Sequence, residues 1–378
     1  MCWRTTRFKS LRKVVSSESI VILLLLLRKA LDNSYQVKLP KDVDWTSVLG
    51  LASEQGVIGL AAAGIEAVLG EWLKVNGSSH SEAAKPSEPL VPKVLLLQWI
   101  GLSERQRQQF EQTWRVACKL DKLWAAEGIQ ATVLKGRSIA KYYPVPSHRY
   151  SCDLDVFIGG EWGRACESLE GQGIRLEHEV YKEVEFTLDN VYVECHRYIT
   201  PIRGNKQLQD FEQYLRSLLH NEQQTCFEGT TLVCPPLMFN VMLYIEHALG
   251  DILHGHLTLK EIVDWVILRK QGFDRNSIEA RCKEFKFYRF LKLIDALADV
   301  VEGKIEYNAL SPAYRDAFDD VFMMPEANKP RSWFRRRIDL FFDIVKNGKK
   351  FRDYGYMSMP AFLFNSVWTH FFDKEVKL

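Results

Sequence analysis

The eight cysteines (positions 2, 118, 152, 166, 195, 226, 234 and 282) contain no Cys-x-x-Cys pair and no Cys/His zinc spacing. That excludes the usual structural zinc modules and a thioredoxin-like redox motif, and it is the cysteine usage of a reducing cytoplasm. Long apolar runs are lacking too. Ile20 to Leu27 is an eight-residue stretch with no small-residue cleavage site after it, and Arg28-Lys29 follow at once. It is too short to span a bilayer, so no membrane span is expected, and it reads as a buried N-terminal helix. Charge of one sign is scarce: the net charge is +2, which argues against a general nucleic-acid-coating surface. There is no serine-hydrolase elbow, kinase signature or dinucleotide fingerprint. Lys135-Gly136-Arg137-Ser138 imitates the end of a Walker loop, but the upstream glycine is missing.

What is present is an ordinary globular composition, 47% hydrophobic and 26% charged over 378 residues, enough for two or three packed units. Within it, Ser151-Cys-Asp-Leu-Asp-Val-Phe-Ile158 and Val191-Tyr-Val-Glu-Cys-His196 alternate apolar and polar residues as half-buried strands do. Alternation puts Asp153 and Asp155 on one side, about 7 Å apart at a rise of roughly 3.3 Å per residue. Leu154, Val156 and Ile158 then point the other way, into a core. If the second strand lies beside the first, Glu194 joins the aspartates. Three converging carboxylates repel one another unless a cation neutralises them, which points to a Mg²⁺ site for phosphate chemistry, with Mn²⁺ as the alternative ion.

The segments before this strand strengthen that reading. Gln130 to Leu134 reads as a short strand, Lys135-Gly136 as a turn and Arg137 to Tyr143 as a helix. A glycine between strand and helix lets backbone N–H groups approach a phosphate. Pro144-Val145-Pro146-Ser147 then forms a rigid loop leading through Arg149 to the carboxylates. His196 shares the strand face of Glu194, where it either orients that carboxylate, hydrogen-bonds a phosphate or simply ends the strand.

Taken together, Val133-Leu134-Lys135-Gly136, Ala140 to Pro144, Arg149, Asp153 to Ile158 and Val193 to His196 resemble the uncharacterised nucleotidyltransferase family of the DNA polymerase beta-like superfamily. Outside this core, Asp44-Trp45 with Gln55 to Leu60, and His247, His254 and Leu257 to Trp265, are similar to that family's flanking helical regions, so the resemblance covers roughly residues 20 to 300. The Gly-Ser pair usual in the superfamily's phosphate turn is here Lys135-Gly136, a replacement typical of the uncharacterised family. The resemblance implies transfer of a nucleoside monophosphate from a triphosphate, ATP being the expected donor, to a hydroxyl of a small-molecule or protein acceptor. Asp153 and Asp155 would hold one or two metal ions. Glu194 would complete the second metal site and accept the acceptor's proton. Lys135, Gly136, Arg137 and Ser138 would contact the β- and γ-phosphates. Arg149 either neutralises phosphate charge or pairs with an aspartate. The competing reading is a catalytically inactive nucleotide-binding or interaction module that keeps the fold.

The expected fold class is α+β: a small mixed-sheet nucleotidyltransferase core over 116–200, with helical regions at 17–115 and 201–378 and a loosely ordered basic N-terminus over 1–16. Helices are expected at Ser19 to Leu31, Trp45 to Glu54 and Ile58 to Val75, and from an N-cap at Ser103 to about Glu127. Asn76 to Ser81 and Lys85 to Pro89 read as loop. Trp162 to Glu170 reads as a helix, followed by extended runs near 174–181, 183–188 and 191–198, with Asp189-Asn190 as a two-residue hairpin turn. His247, Asp251 and His254 fall on one helical face; a zinc-ligand role is available to them, but a cleft-facing or structural role is the preferred reading. Arg335-Arg336-Arg337 with Trp333, Phe334, Phe341 and Phe342 form a basic, aromatic patch whose spacing favours core aromatics and a solvated arginine face, so nucleic acid is not an expected partner.

Overall fold

The computed structural model describes residues 16–40, 42–77, 90–202, 205–221, 225–255, 257–323 and 344–364. The basic N-terminus and the Arg335 patch fall outside these residues. The chain begins with helices α1 (Ser17–Leu31), α2 (Trp45–Glu54), α3 (Ile58–Gly77) and α4 (Lys93–Ala125). Strand β1 (Thr132–Val133), helix α5 (Lys135–Ala140), β2 (Asp153–Phe157), α6 (Trp162–Gly171), β3 (Leu176–Glu179), β4 (Glu183–Leu188) and β5 (Val191–His196) follow. After α7 (Lys206–Asn221), β6 (Thr225–Cys226) and β7 (Val233–Cys234) come α8 (Leu237–His254), α9 (Leu259–Arg269), α10 (Arg275–Glu284), α11 (Tyr288–Glu302) and α12 (Pro312–Val321). The fold is α+β, as expected.

The strands form one seven-stranded mixed sheet in the order β3-β4-β5-β2-β1-β7-β6. Its centre is the parallel pair β2 and β5, with Asp155 opposite Glu194 and Phe157 opposite His196. The β4–β5 hairpin closes through Asp189 and Asn190, both at positive φ (49° and 63°), the type I′ geometry that twists with its strands. One face of the sheet, carrying Leu154, Val156, Val193 and Cys195, packs on α6 and on Val116, Leu120 and Trp124 of α4. The other face carries the carboxylates.

A second core joins helices from both ends of the chain. Leu23, Leu26 and Leu27 of α1 share it with Leu249 of α8, Trp265 of α9 and Leu297 of α11. Arg28 of α1 donates to the carbonyls of Val300 and Val301 at the end of α11, satisfying acceptors that helix geometry leaves open. The two helical regions, separated in sequence by the sheet, are therefore one packed body.

Helix α4 differs from expectation. It starts at Lys93, so Ser103 lies within it and caps nothing; Pro92 precedes the first turn. Trp99, 1% exposed, anchors the extra N-terminal turns in the helical core, and this packing outweighs the weak helix propensity of Gly101. Further along, α4 packs on the sheet, so one long helix joins both cores. Gly128 (φ 72°) ends the run as expected.

Helices α1 and α3 cross so closely that a Cβ on Gly64 would lie 2.1 Å from the Leu26 carbonyl oxygen. Backbone cannot yield as a flexible side chain can. Gly64→Ala should therefore destabilise the protein by about 3 kcal/mol, the upper end for overpacking. Gly70→Ala, with open space at its Cβ, should be neutral or slightly stabilising. Urea denaturation of the two variants checks the contrast.

Candidate active site

The sheet register assembles the site. Residues paired across strands share a face, so Asp153, Asp155, Glu194 and His196 lie together, joined from β4 by Glu183 opposite His196 and Glu185 opposite Glu194. Donor atoms of Asp155, Glu194 and His196 all lie within 4.8 Å of one another. Asp153 stands one pleat earlier on β2, half-buried.

His196 is fully buried at the centre of this acidic face. Its Nε2 lies 3.1 Å from Asp155 Oδ1 and 3.5 Å from Glu194 Oε2, and its Nδ1 lies 2.7 Å from Glu183 Oε2. Burial alone would lower the imidazole pKa, but the flanking carboxylates outweigh it and carry it up to about 9. The ring is thus an imidazolium at neutral pH, with both nitrogens protonated. Glu183, which burial would raise, is instead held down at about 2 by His196 and by Lys182.

Lys135 supplies the second cation. Its Nζ lies 3.0 Å from Asp155 Oδ1. Burial would lower its pKa, but Asp155, Glu194 and Asp153 together raise it. Burial would likewise raise Asp155, yet Lys135 and His196 hold that carboxyl well below its ordinary range. Glu194 moves the opposite way: burial raises its pKa and the Asp155 charge adds to the rise, against the pull of His196. Two neighbouring carboxylates are thereby set apart in basicity. Lys135 reaches its position from a backbone φ of 41°, in the left-handed region that side chains disfavour. Strain of that kind persists only where the surroundings impose it. Here Gly136 follows immediately, and a Cβ on Gly136 would lie 2.7 Å from Ser151 Oγ. The turn is pressed against the start of the carboxylate strand.

The remaining sequence candidates divide. Arg149 is buried and pairs through Nη2 with Asp264 Oδ2 at 2.8 Å, its Nε donating to Asp264 Oδ1 and its Nη1 to the Gly136 carbonyl. Of the two roles left open for it, pairing with an aspartate is the one its geometry displays. Tyr143 also donates to Asp264. Ser138 is wholly buried, its Oγ 2.8 Å from Lys135 O and 2.9 Å from Asn240 Oδ1. Both residues brace the turn rather than face the cleft. Arg137 lies against the rings of Phe110 and Trp114, 4.1 and 4.2 Å from their centroids, and burial lowers its pKa to about 10. His247 pairs with Asp251 at 2.9 Å on α8. The Lys135 charge acts on Asp251 and Glu246 of the same helix, against the burial that raises both. His254 is held at the end of α8 by the Gly250 carbonyl and by Phe362. Among the described residues, the group of three or more converging metal donors is the one centred on Asp155.

A family profile described as "Uncharacterised nucleotidyltransferase" matches residues 41–301. The chain belongs to this nucleotidyltransferase family. No curated protein and no solved structure matches it. The family match spans the sheet, the Lys135-Gly136 turn and helices from both flanks, the same parts that converge in space. Two residues in contact with the sequence candidates escaped the sequence reading. Glu183 was visible only as a polar position in an extended run; the β4–β5 hairpin register would have placed it against His196. Asp264 lies 115 residues from its partner Arg149, beyond any local pattern. Among the described residues no helix is long and apolar enough to cross a membrane, and the described cysteines are free thiols.

The imidazolium gives a pH signature. Because the folded pKa of His196 lies above its ordinary value near 6.5, its stabilising contribution is complete below that value and disappears as pH rises through about 9. With chelator present, the melting temperature should fall between pH 6.5 and 9, and His196→Gln should flatten that slope. An equal slope in the variant would place the effect elsewhere.

Proposed function

We propose that this nucleotidyltransferase moves a nucleoside monophosphate from a triphosphate, ATP being the expected donor, to a hydroxyl of a small-molecule or protein acceptor, with Mg²⁺ or Mn²⁺. The observation that carries the reading is the cross-strand pair Asp155–Glu194 with Asp153 one pleat away on the same face. Carboxylate oxygens are the ligands a hard divalent cation takes, and the donor spacing at Asp155 and Glu194 suits one. His196 offers a third donor atom beside Asp155 and Glu194, and in the metal-free site its ring lies against both carboxylates. A divalent ion held by Asp153, Asp155 and Glu194 would supply charge neutralisation at the attacked phosphorus.

The chain's own groups do the rest. Lys135 now sits on Asp155. Its ammonium is the chain's own cation at the turn and would bind the β- and γ-phosphates, where a compact point charge binds strongly. Gly136, bare of side chain, lets the turn backbone approach the same phosphates. Glu194, raised by burial and the Asp155 charge while Lys135 and His196 hold Asp155 down, would accept the acceptor's proton. Arg149 and Ser138 hold the turn in register, and Arg137 bounds it on the α4 side.

An inactive module is the competing reading. Its weakness is energetic: Asp153, Asp155, Glu183, Glu185 and Glu194 share one sheet face and are met by Lys135, Lys182 and His196. Such an excess of like charge is costly to keep without a cation.

Three variants test the assignment. Asp153→Asn, the least buried of the aspartates, should abolish Mg²⁺-dependent pyrophosphate release while leaving the melting temperature unchanged. Glu194→Gln should cut release strongly yet spare much of the triphosphate affinity seen by calorimetry. Lys135→Ala should weaken triphosphate binding by about 1.5–3 kcal/mol, the range for charged hydrogen bonds, with little effect on a monophosphate. Full turnover in the aspartate variant would sink the transferase reading.

A further inference from the structure

Away from the carboxylate face, the end of α5 meets strand β7 through two side chains. Lys141, the residue that closes α5, places its Nζ 2.7 Å from the Sγ of Cys234. We infer that these two residues form an oxidative modification site, at which a hydroperoxide links the amine to the sulfur through one bridging oxygen, N–O–S. The inference is independent of the transfer reading.

The contact is tight for a hydrogen bond. An N–H···O bond already runs to about 2.7–3.2 Å, and sulfur is the larger atom, so an ammonium that only donated to it would stand further off. Nor does an ion pair account for the lysine's place: among the described residues no carboxylate pairs with Lys141. Its other partners are the Pro235 carbonyl at 3.2 Å and the Tyr142 ring, whose centroid is 4.8 Å away. Those two hold the amine over the sulfur. The sulfur is held as well. Cys234 pairs with Thr225 of β6, Val233 pairs with Thr132 of β1, and Pro235-Pro236 follow with their φ angles locked. The two side chains meet across 93 residues of sequence, so the fold and not the local chain brings them together. Cys234 is 8% exposed and Lys141 is exposed, which opens the pair to a small oxidant. Cys226, on the adjacent strand, is the more open thiol, yet its sulfur has the Thr231 carbonyl beside it and no amine.

The chemistry balances with two equivalents of hydrogen peroxide. In the first step the Cys234 sulfur displaces one peroxide oxygen: the S–O bond forms, the O–O bond breaks, and one water leaves, giving a sulfenic acid. In the second, Lys141 has given its extra proton to solvent and loses two electrons to another peroxide. The N–O bond forms, and one amine hydrogen and the sulfenic hydrogen leave with the two peroxide oxygens as two waters. A direct S–N bond would require the atoms to close up, whereas one intervening oxygen spans the gap as it stands. The product pins α5, the helix that starts at the Lys135-Gly136 turn, to β7.

The test uses the full chain, reduced with dithiothreitol, freed of it, and treated with hydrogen peroxide before digestion under non-reducing conditions. Peptide mass spectrometry should find the Lys141 and Cys234 peptides joined, their summed mass raised by one oxygen and lowered by two hydrogens. Dithiothreitol should separate them again. Lys141→Arg and Cys234→Ser should each reduce the joined peptide at least tenfold, while Cys226→Ser should leave it unchanged. The wild-type peptide map decides by itself if a variant fails to fold. The inference is overturned if treated wild type carries no joined peptide, with Cys234 going on to sulfinic or sulfonic acid beside an unmodified Lys141. It is equally overturned if the peptides are joined without the added oxygen, if the joined peptide survives in Lys141→Arg, or if Cys226→Ser abolishes it, which would make Cys226 the oxidised sulfur.

Discussion

The parallel pairing of β2 with β5 is the constraint on which the rest of the site depends. Parallel neighbours cannot be joined by a tight turn, so α6, β3 and β4 are spent on the crossover that brings β5 back beside β2. A slip of one residue in that pairing would turn Glu194 and His196 into the packed face and bring Val193 and Cys195 beside Asp155. What prevents the slip is the opposite face, where Leu154, Val156, Val193 and Cys195 are fully committed to α4 and α6. The acidic face is therefore positioned by apolar packing on the reverse of the same sheet. Local charge then follows from position: an imidazolium beneath, an ammonium beside, and carboxylates of differing basicity between them.

A large share of this was legible from local pattern. Alternation located the strands that became β2 and β5, and Asp189-Asn190 announced the hairpin because few residue pairs tolerate two positive φ values in succession. The expected bounds of α2, Trp45 to Glu54, match the helix, whose first turn is capped by Asp44 accepting from Ser47 N. The candidate carboxylates came from spacing alone, though their side-by-side placement needed the strand order. Less legible were properties that arise between distant segments. The imidazolium state of His196 depends on Glu183 and Asp155 arriving from two other strands. Arg149 had two open roles until Asp264 was seen beside it. Helix α4 was read too short because Gly101 weakens the local signal, while Trp99, the residue that rescues those turns, acts through tertiary burial.

The buried Arg149–Asp264 pair shows how the sheet and the helical body are made rigid together. Truncating one partner of such a pair typically costs 3–5 kcal/mol, because the other is left as an uncompensated buried charge. Here the same guanidinium also holds the Gly136 carbonyl. A link between α9 and the phosphate turn thus runs through one side chain, and the left-handed backbone at Lys135 is kept in place by it and by the tight contact of Gly136 with Ser151.

The shared core of the two helical regions has a consequence for how the chain is made. Arg28 meets the Val301 carbonyl across 273 residues of sequence. At a synthesis rate of about 5–20 residues per second, α1 emerges roughly 14–55 s before its partner on α11 exists. During that interval Leu23, Leu26 and Leu27 have no complete surface to bury against, whereas the sheet and α6 can close locally as they appear. The nascent chain therefore carries α1 covered on its α2 and α3 side but open on its α11 side through most of its translation, and that open face falls to whatever shields hydrophobic segments at the ribosome.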